Sequence, residues 1–387
     1  MEGMPILVTG GEQVAGLAVV RGLRAAGWRP YVVVVERKTP AAWSRAAAGR
    51  VRVPHPDTDP AAFVDALASA ATRLGAVAVL PGTESTLVAV AEHADRFPAQ
   101  VALGAPPTEV VSLAIDKRHL EDLARAAGLR TPPTRVSTGD DWREIAAEIG
   151  TPAVIKPARS VLETPHGRVW VGVQRANSPD ELRECLTRLP AGPALVQPLL
   201  PGRMVTVNGA CWKGSLVCSV HQTADRLWPL DMGVLAYART IPRDADLDHR
   251  VARFLESVGW SGLFNLQFIA HGGDLHLIDL NPRPYHSLAL AIAAGQNLPA
   301  IWVELLLGRN PQIPPYRVGA RFRAEEEDAQ AMLTLLSRRD LQAVRRALRP
   351  HRRTAHALLA RGDPLPAIVA FARAVAQRGG KNGIYRS

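Results

Sequence analysis

The sequence predicts an α/β protein that consists of a parallel-sheet domain, an α+β core and a helical tail. Three observations support this prediction: apolar strands alternate with helical patterns from residue 6 to residue 80, two apolar strands joined by glycines form a hairpin near residue 272, and an arginine-rich amphipathic segment follows residue 311. The chain has 387 residues, of which 47% are hydrophobic, so it can form two or three domains with cores of their own.

The first domain is predicted to span residues 1–111. Its pattern gives strands at residues 6–8, 31–35 and 76–80 and helices at residues 13–26 and 63–74. The first turn carries Gly10, Gly11 and Gly16, which is not the G-x-G-x-x-G spacing of a dinucleotide site, although Glu36 stands where such a site has its ribose acid. The loops at residues 9–11 and 81–84 are expected to face a ligand. Glu84 is either a ligand for a substrate amine or an acid at a helix N-terminus.

The second strand of the hairpin ends in a group of polar residues. Asp279 and Asn281 project to the same side because side chains alternate along a strand. Pro282 keeps Asn281 extended. Carboxylate and amide oxygens suit a hard cation, and Arg283, just beyond them, suits a phosphate.

The hairpin register decides whether a third polar residue joins this pair. The partner strand covers residues 263–269 and contains Gln267. A two-residue glycine turn would place Gln267 opposite Ile278, whereas a three-residue loop ending at Asp274, with a bulge, would place it opposite Asp279. We predict the second register, which gathers the polar residues into one oxygen-rich cluster.

This motif resembles the metal and phosphate site of the ATP-grasp superfamily. Gln267 followed by Asp279-x-Asn281-Pro282-Arg283 is similar to the carbamoyl-phosphate-synthetase-like branch, which has glutamine at the first position. The resemblance covers most of the first 310 residues, with strong motifs in the second half. It implies ATP and Mg²⁺ (or Mn²⁺) as cofactors, Gln267, Asp279 and Asn281 as metal ligands, and Arg283 as a catalytic residue at the transferring phosphoryl group. The alternative is an ordinary buried hairpin.

Lysine usage supports the resemblance. The chain has 41 arginines but five lysines, and two of these lysines stand where an ATP-grasp enzyme uses them. Lys117 begins a helical pattern, and Lys156 ends a short apolar strand. The resemblance implies that both contact nucleotide phosphates and that Lys156 also acts in catalysis. The alternatives are a solvated lysine and a strand-end lysine.

The segment at residues 194–202 resembles the adenine hinge of the family. Because Pro198 has no N–H, we expect Gln197 C=O and Leu199 N–H to bind the adenine edge. The alternative is an edge strand interrupted by prolines.

The resemblance divides the rest of the chain. An ATP-grasp domain is expected at residues 112–310 with a lid at about 131–199, followed by an arginine-rich helical extension at residues 311–387. The segment after Lys156 departs from the family because it has a single glycine where a glycine-rich phosphate loop is usual. Ser160, His166 or Arg168 is expected to supply side-chain donors there. The ribose-binding residue stays unassigned.

Substrate residues are predicted near the hairpin. Arg226, in the connector at residues 224–233, is a candidate for the substrate carboxylate or the acyl phosphate, with a surface-loop arginine as the alternative. His286 and Ser287 either face the acceptor or start a helix. The resemblance implies an ATP-dependent carboxylate–amine ligase acting on a small acid and an amino acid or peptide. A carboxyphosphate or carbamoyl-phosphate enzyme, an idle ATP-binding protein and a dehydrogenase remain alternatives.

Composition favours a cytoplasmic enzyme without a membrane or nucleic-acid partner. No run approaches the roughly 18 apolar residues of a membrane span, and the N-terminus leads into a strand without a basic region. Of the net charge of +10, +8 falls at residues 321–387, where aromatic residues for base stacking are nearly absent, so a solvated helical face is favoured. The three cysteines lack zinc-ligand spacing and are expected to be reduced. A homo-oligomer stays open.

Overall fold

The computed structural model describes residues 3–164, 167–190, 192–230, 232–347, 351 and 354–379. The predicted α/β architecture is confirmed: a parallel sheet opens the chain, and a small sheet and a long antiparallel sheet follow it.

The first part of the chain is a parallel sheet flanked by helices. Its elements are β1 (Pro5–Val8), α1 (Val14–Ala25), β2 (Arg29–Val34), β3 (Gly49–Arg52), α2 (Pro60–Leu74), β4 (Ala78–Leu80), α3 (Glu84–Glu92) and β5 (Ala102–Leu103). The strand order is β3-β2-β1-β4-β5, and all neighbours are parallel. The sequence pattern missed β3 because charged residues occupy two of its four positions. Parallel order places the loops after β1 and β4 side by side at one edge.

The second part is a four-stranded sheet with two covering helices, which we call the lid sheet. After α4 (Thr108–Ile115) and α5 (Leu120–Ala126), its elements are β6 (Arg135–Ser137), α6 (Trp142–Ile149), β7 (Ala153–Pro157), the hairpin β8 (Val161–Thr164) and β9 (Gly167–Trp170), β10 (Gln174–Ala176), α7 (Pro179–Arg188) and β11 (Ala194–Pro198). The order is β10-β7-β11-β6, with the β8–β9 hairpin outside it. Ile145, Ile155 and Leu182 are fully buried between this sheet and its helices.

The third part is a seven-stranded sheet. Its elements are β12 (Arg203–Trp212), β13 (Ser215–Trp228), β14 (Val234–Thr240), α8 (Ala245–Val258), β15 (Gly262–His271), β16 (Asp274–Asn281), α9 (Leu288–Ala294), α10 (Leu298–Leu306), β17 (Arg321–Arg323), α11 (Glu325–Ser337), α12 (Leu341–Ala347), β18 (Thr354–His356) and α13 (Leu365–Gly379). The order is β16-β15-β12-β13-β14-β17-β18. The C-terminal part is therefore not only helical, since two of its strands extend this sheet.

The two faces of the long sheet differ in polarity. On one face Val207, Phe264 and Phe268 pack against Phe254 of α8 in a fully buried apolar cluster. At the centre of β12 and β15 the alternate positions carry polar side chains, and they lie on the other face because successive residues of a strand point to opposite faces. Within the described parts of the chain, no single helix has the length and apolar character needed to cross a membrane.

The C-terminal segment returns to the first sheet. Asp363 accepts hydrogen bonds from Arg21 Nε at 3.1 Å, from Ser44 Oγ at 2.6 Å and from Arg45 N at 2.9 Å. Beyond this anchor, Arg373 of α13 donates to the Glu12 carbonyl at 3.2 Å. The helix therefore lies over the loop that follows β1.

Candidate active site

The hairpin of β15 and β16 brings the predicted polar cluster together. Its turn has two residues, Gly272 and Gly273, with φ of +59° and +89°. The predicted three-residue loop is wrong, because both glycines adopt the left-handed conformation that a tight two-residue turn requires. The register shifts instead between Gln267 and Phe268, so that Ile278 is the extra residue of a bulge. The predicted pairing of Gln267 with Asp279 is confirmed.

The bulge also changes what the backbone offers. The bulged residue, Ile278, uses its carbonyl to accept a hydrogen bond from Lys156 Nζ at 2.8 Å. Leu277, which precedes the bulge, and Leu280, which lies between Asp279 and Asn281, both belong to the apolar cluster on the opposite face. The bulge thus preserves the buried side of β16 and turns Asp279 and Asn281 to the side of Gln267.

A shared partner holds the two amide side chains of this cluster. Asn265 Oδ1 accepts from Gln267 Nε2 at 3.2 Å and from Asn281 Nδ2 at 3.0 Å. Asp279 Oδ1 is buried and has no hydrogen-bond partner among the described residues, although Lys117 Nζ lies 3.7 Å away. In the described parts of the chain, no group of three or more His, Cys, Asp or Glu side chains is placed so that it could hold a metal ion. A carboxylate with two amides is therefore the donor set that fits a hard cation.

The two predicted lysines converge on the same point. Lys117 Nζ donates to Ser160 Oγ at 3.0 Å, which places both residues beside Asp279. Lys156 is only 5% exposed. Its burial lowers the pKa to about 8, an effect that Asp279 opposes and the charge of Lys117 reinforces. Positive charge is thus concentrated next to the carboxylate, where a triphosphate would place its oxygens.

Arg283 links the cluster to the first domain. It donates to Asn281 Oδ1 at 3.3 Å and to the Pro284 carbonyl at 3.1 Å. Burial lowers the pKa of Arg283, while Glu84 and Asp279 act in the opposite direction. Glu84 Oε1 is buried and finds no hydrogen-bond partner in the described structure. The loop after β4 of the first sheet therefore places a carboxylate oxygen without a hydrogen-bond partner among the described residues near Arg283.

A cleft opens between the lid sheet and the long sheet. Lys117, Lys156 and Ile278 line it on the phosphate side, and Leu195 and Gln197 line it on the lid side. The Gln197 side chain donates to Thr134 Oγ1 at 2.9 Å. The cleft combines apolar walls with charge at one end, as an adenine nucleotide requires.

The backbone pair predicted to bind adenine needs a correction. Leu199 N–H is already bonded to the Pro152 carbonyl at 2.9 Å, so it does not face the cleft. In an antiparallel pair the residues that bond to one neighbour alternate, so the backbone groups of Gln197, paired with Val154, also point towards β7. By the same alternation the Pro198 carbonyl points away from β7. The predicted use of Leu199 N–H is therefore wrong, because that group already bonds to the residue before β7.

The glycine-poor segment after Lys156 forms the β8–β9 hairpin. Ser160, before the hairpin, contacts Lys117 as described above, and His166 lies outside the described residues. Arg168 N donates to the Asp57 carbonyl at 3.1 Å, and the Arg168 guanidinium lies 3.3 Å from Glu92. The hairpin is therefore held against the first domain by side-chain and backbone contacts.

Arg226 is not a surface-loop residue. It lies in β13 between two register shifts and is 13% exposed. Its Nε donates to Asp328 Oδ1 at 2.7 Å, and its guanidinium stacks 4.7 Å from the centre of the Tyr237 ring. Arg226 Nη2 is buried without a hydrogen-bond partner in the residues that the structure describes. This leaves one donor edge for a ligand.

The two candidates after Arg283 lie in different surroundings. Ser287 is buried and donates to Gln222 Oε1 at 2.7 Å. His286 Nε2 lies 3.7 Å from Glu327 of α11, and its ring meets that of Phe322 edge-on. Ser287 is therefore bound to the long sheet, and His286 to the C-terminal elements.

Sequence reasoning missed four buried polar residues on the face that carries the cluster: Thr206, Asn208, Gln222 and Asn265. A signal for them was present. Each of β12, β15 and β16 contains two polar residues separated by one apolar residue, and such pairs on adjacent strands share a face.

Comparison with known proteins points to one family. A family model described as "ATP-grasp in the biosynthetic pathway with Ter operon" matches residues 191–328. The carbamoyl phosphate synthase large chain of Gemmatimonas aurantiaca is 28% identical over 235 residues, which cover 55% of this chain and 21% of that protein. The formate-dependent phosphoribosylglycinamide formyltransferase of Oleidesulfovibrio alaskensis is 25% identical over 253 residues, 59% of each chain. The chain thus spans about a fifth of the synthase and about three fifths of the formyltransferase.

Solved structures agree on the fold. Biotin carboxylase from Campylobacter jejuni, solved as a β-γ-ATP complex, superposes with a TM-score of 0.63 at 16% identity over 82% of this chain and 74% of that chain. The superposition covers more of the chain than the residues matched by the family model. Residues 191–328, which carry Gln267, Asp279 and Asn281 on one face of the long sheet, thus match an ATP-grasp family, in agreement with the resemblance of the sequence motif.

Proposed function

We propose that the protein is an ATP-dependent ligase that joins a carboxylic acid to an amine through an acyl phosphate and releases ADP and phosphate. The observation that carries this proposal is the placement of Gln267, Asp279 and Asn281 on one face, with Lys156 and Arg283 beside them. The formyltransferase relative supports it, because its name states a formate-dependent reaction on a glycinamide.

The residues present fit a divalent cation. Gln267, Asp279 and Asn281 offer three oxygen ligands, and the buried Asp279 Oδ1 has no hydrogen-bond partner among the described residues. These three side chains would hold Mg²⁺ (or Mn²⁺), which when bound neutralises charge on the β- and γ-phosphates. Lys117 and Lys156 supply further positive charge from the other side of the carboxylate.

The nucleotide would lie in the cleft between the lid sheet and the long sheet. Pro198 C=O and Leu200 N–H would bind the adenine edge, while Lys117 and Lys156 bind the phosphates. Arg283 would then stabilise the charge that develops on the phosphoryl group as it transfers. In this arrangement the protein contributes position and fixed charge rather than a covalent nucleophile.

On the acceptor side, one buried atom of Arg226 and one of Glu84 have no hydrogen-bond partner among the described residues, and the two side chains carry opposite charges. Arg226 Nη2 would orient the substrate carboxylate, and Glu84 Oε1 would hold the amine as an ammonium ion before it reacts. The carboxylate oxygen attacks the γ-phosphorus and displaces ADP. After deprotonation, the amine attacks the acyl carbon, and phosphate leaves with the electron pair of the broken C–O bond.

Hydrolysis of the acyl phosphate must be prevented. The β8–β9 hairpin is bonded to the first domain through Arg168 and the Asp57 carbonyl. This contact would close the cleft from the lid side and keep water from the intermediate.

Two other functions use the same nucleotide site. The synthase relative makes a carboxyphosphate or carbamoyl-phosphate reaction the second candidate, and an idle ATP-binding protein is the third. A dehydrogenase is disfavoured because Arg373 lies against both Glu12, after β1, and Glu36, after β2, where a dinucleotide would bind.

A single incubation separates these functions. The protein is mixed with ATP, Mg²⁺, a panel of carboxylic acids and amino acids, and separately with bicarbonate; ADP and product masses are then measured. The ligase predicts acid-dependent and amine-dependent ADP release and a product with the mass of acid plus amine less one water. ADP release stimulated by bicarbonate alone, or tight nucleotide binding without turnover, would contradict it. Asp274→Asn, which changes an exposed acid of the same hairpin, is the control variant.

A further inference from the structure

We propose that Asn265 and Asn208 are positioning residues that turn the oxygens of Gln267 and Asn281 towards the cation. This proposal rests on the proposed function of the same site. Neither residue would touch the cation, the nucleotide or the substrate. They would act by deciding which end of each amide side chain faces the site.

The amide group of an Asn or Gln side chain can be placed in two orientations. Asn and Gln side chains end in a carbonyl oxygen and an NH₂ group of nearly the same shape, and only the oxygen binds a hard cation. Gln267 and Asn281 must therefore point their NH₂ groups elsewhere. In this structure both NH₂ groups donate to Asn265 Oδ1, at 3.2 Å and 3.0 Å. One acceptor oxygen with two lone pairs thus turns both ligand oxygens away from Asn265, although the Asn281 oxygen also accepts from Arg283 at 3.3 Å.

The orientation of Asn265 is fixed in turn by Asn208. Asn265 Nδ2 donates to Asn208 Oδ1, so the Asn265 oxygen must face the ligands. Asn208 Nδ2 donates to the Val220 carbonyl at 3.2 Å and to Thr206 Oγ1 at 2.9 Å. A backbone carbonyl can only accept, so Asn208 has one orientation that satisfies its partners. The Val220 carbonyl therefore fixes the orientation of the Asn208 amide, Asn208 fixes that of Asn265, and Asn265 fixes those of the cation ligands.

The sheet register makes this relay compact. Asn281 pairs with Asn265, Asn265 with Asn208, and Asn208 with Val220, across four adjacent strands. Asn208 and Asn265 are 0% and 2% exposed, so water does not compete for their polar groups. Flipping one amide would put two NH₂ groups or two oxygens face to face in the core and leave buried groups unsatisfied.

The test measures cation binding rather than turnover. Mn²⁺ is titrated into the full-length protein with saturating ADP, and free Mn²⁺ is followed by electron paramagnetic resonance. Asn265→Leu keeps the volume but removes the acceptor, and we expect it to weaken Mn²⁺ binding roughly 10- to 100-fold, the range typical of residues that orient metal ligands. Asn265→Asp keeps an acceptor for both amides but loses the donor to Asn208 Oδ1, and it is expected to bind Mn²⁺ more tightly than Asn265→Leu does.

Two further variants keep the test decisive. Asn208→Leu leaves Asn265 in place but no longer fixes the orientation of its amide. The Asn208→Leu variant should therefore lose less Mn²⁺ affinity than Asn265→Leu. It replaces Asn265→Leu in the test if that variant does not fold. Thr240→Val removes another buried hydrogen bond of the same sheet, from Thr240 Oγ1 to the Arg317 carbonyl. It should lower stability without changing Mn²⁺ affinity.

The outcomes separate the two proposals. If wild-type protein binds no Mn²⁺·ADP, or binds it unchanged after Asp279→Asn, the proposed function fails. If wild-type binding depends on Asp279 but Asn265→Leu binds Mn²⁺ as wild type does, the relay alone is overturned. Equal losses in Asn265→Leu and Thr240→Val, or binding by Asn265→Asp as weak as by Asn265→Leu, would also overturn it, because neither result depends on the acceptor oxygen at position 265.

Discussion

The depressed pKa of Lys156 makes nucleotide affinity depend on pH in a defined direction. Burial lowers this pKa to about 8, so the side chain loses its charge near pH 8 instead of above pH 10. If only the charged form binds phosphate, affinity follows the charged fraction. That fraction is about 0.9 at pH 7 and about 0.1 at pH 9, which predicts roughly tenfold weaker ADP binding at the higher pH.

The same shift affects stability, with the opposite sign. Because the pKa of Lys156 is lower in the folded chain, burial of the charged lysine destabilises the fold at every pH below about 8. This penalty is relieved as the pH rises towards the ordinary lysine pKa. For values of about 8 and 10.5 the penalty is roughly 3 kcal/mol at pH 7 and roughly 1.5 kcal/mol at pH 9.5. Lys156→Met, which carries no charge, should escape it.

Two measurements check this reasoning. Calorimetric titration of ADP at pH 7 and pH 9 should show the tenfold change in wild type and in Lys213→Met, which removes an exposed lysine. Lys156→Met should bind ADP weakly at both values. Denaturant unfolding should show that the stability of wild type relative to Lys156→Met improves by about 2 kcal/mol between pH 7 and pH 9.5. Equal ADP affinity at both pH values in wild type would refute the assignment of Lys156 to phosphate.

Three more outcomes follow from the site. Asp279→Asn should lower Mg²⁺-dependent ADP release at least about 100-fold with an unchanged circular dichroism spectrum, whereas Asp274→Asn should behave as wild type. Leu200→Pro removes the N–H assigned to adenine and should weaken ATP binding about fivefold to tenfold in a fluorescent-nucleotide displacement assay; an unchanged constant would contradict the corrected hinge. Arg226→Ala should raise the KM for the acid about 10-fold or more, while Asp328→Asn, which releases the guanidinium, should lower it, as initial rates at varied acid will show.

The sequence was sufficient for the fold and for the gathering of the polar cluster, because both follow from periodicity. Alternation fixed which residues of each strand share a face, and the need to unite Gln267 with Asp279 selected one register. It did not locate the bulge. A three-residue loop and a two-residue turn with a bulge at Ile278 shift the register equally, and only the conformation of Gly272 and Gly273 distinguishes them.

The predictions for the adenine hinge and for the polar face of the long sheet were incomplete for different reasons. A strand read alone does not show which neighbour its amides bond to, so nothing local indicated that Leu199 N–H bonds to Pro152. Asn208 and Asn265, in contrast, alternate with apolar residues on their strands, but neither belongs to the motif from which the site was predicted. β17 and β18 have three residues each, too few for a recognisable pattern.

The C-terminal extension packs against the rest of the protein and contacts Arg226 and the first domain. Asp328 of α11 bonds to Arg226, the arginine proposed to orient the acid, and Arg323 of β17 lies 3.1 Å from the same carboxylate. Farther along, Asp363 fastens the chain to the first domain, so that Arg373 reaches the Glu12 carbonyl. One segment thus touches both the strand that carries the substrate arginine and the loop after β1. If the proposed ligase function holds, we expect this segment to contribute to the choice of the acid, because it contacts Arg226.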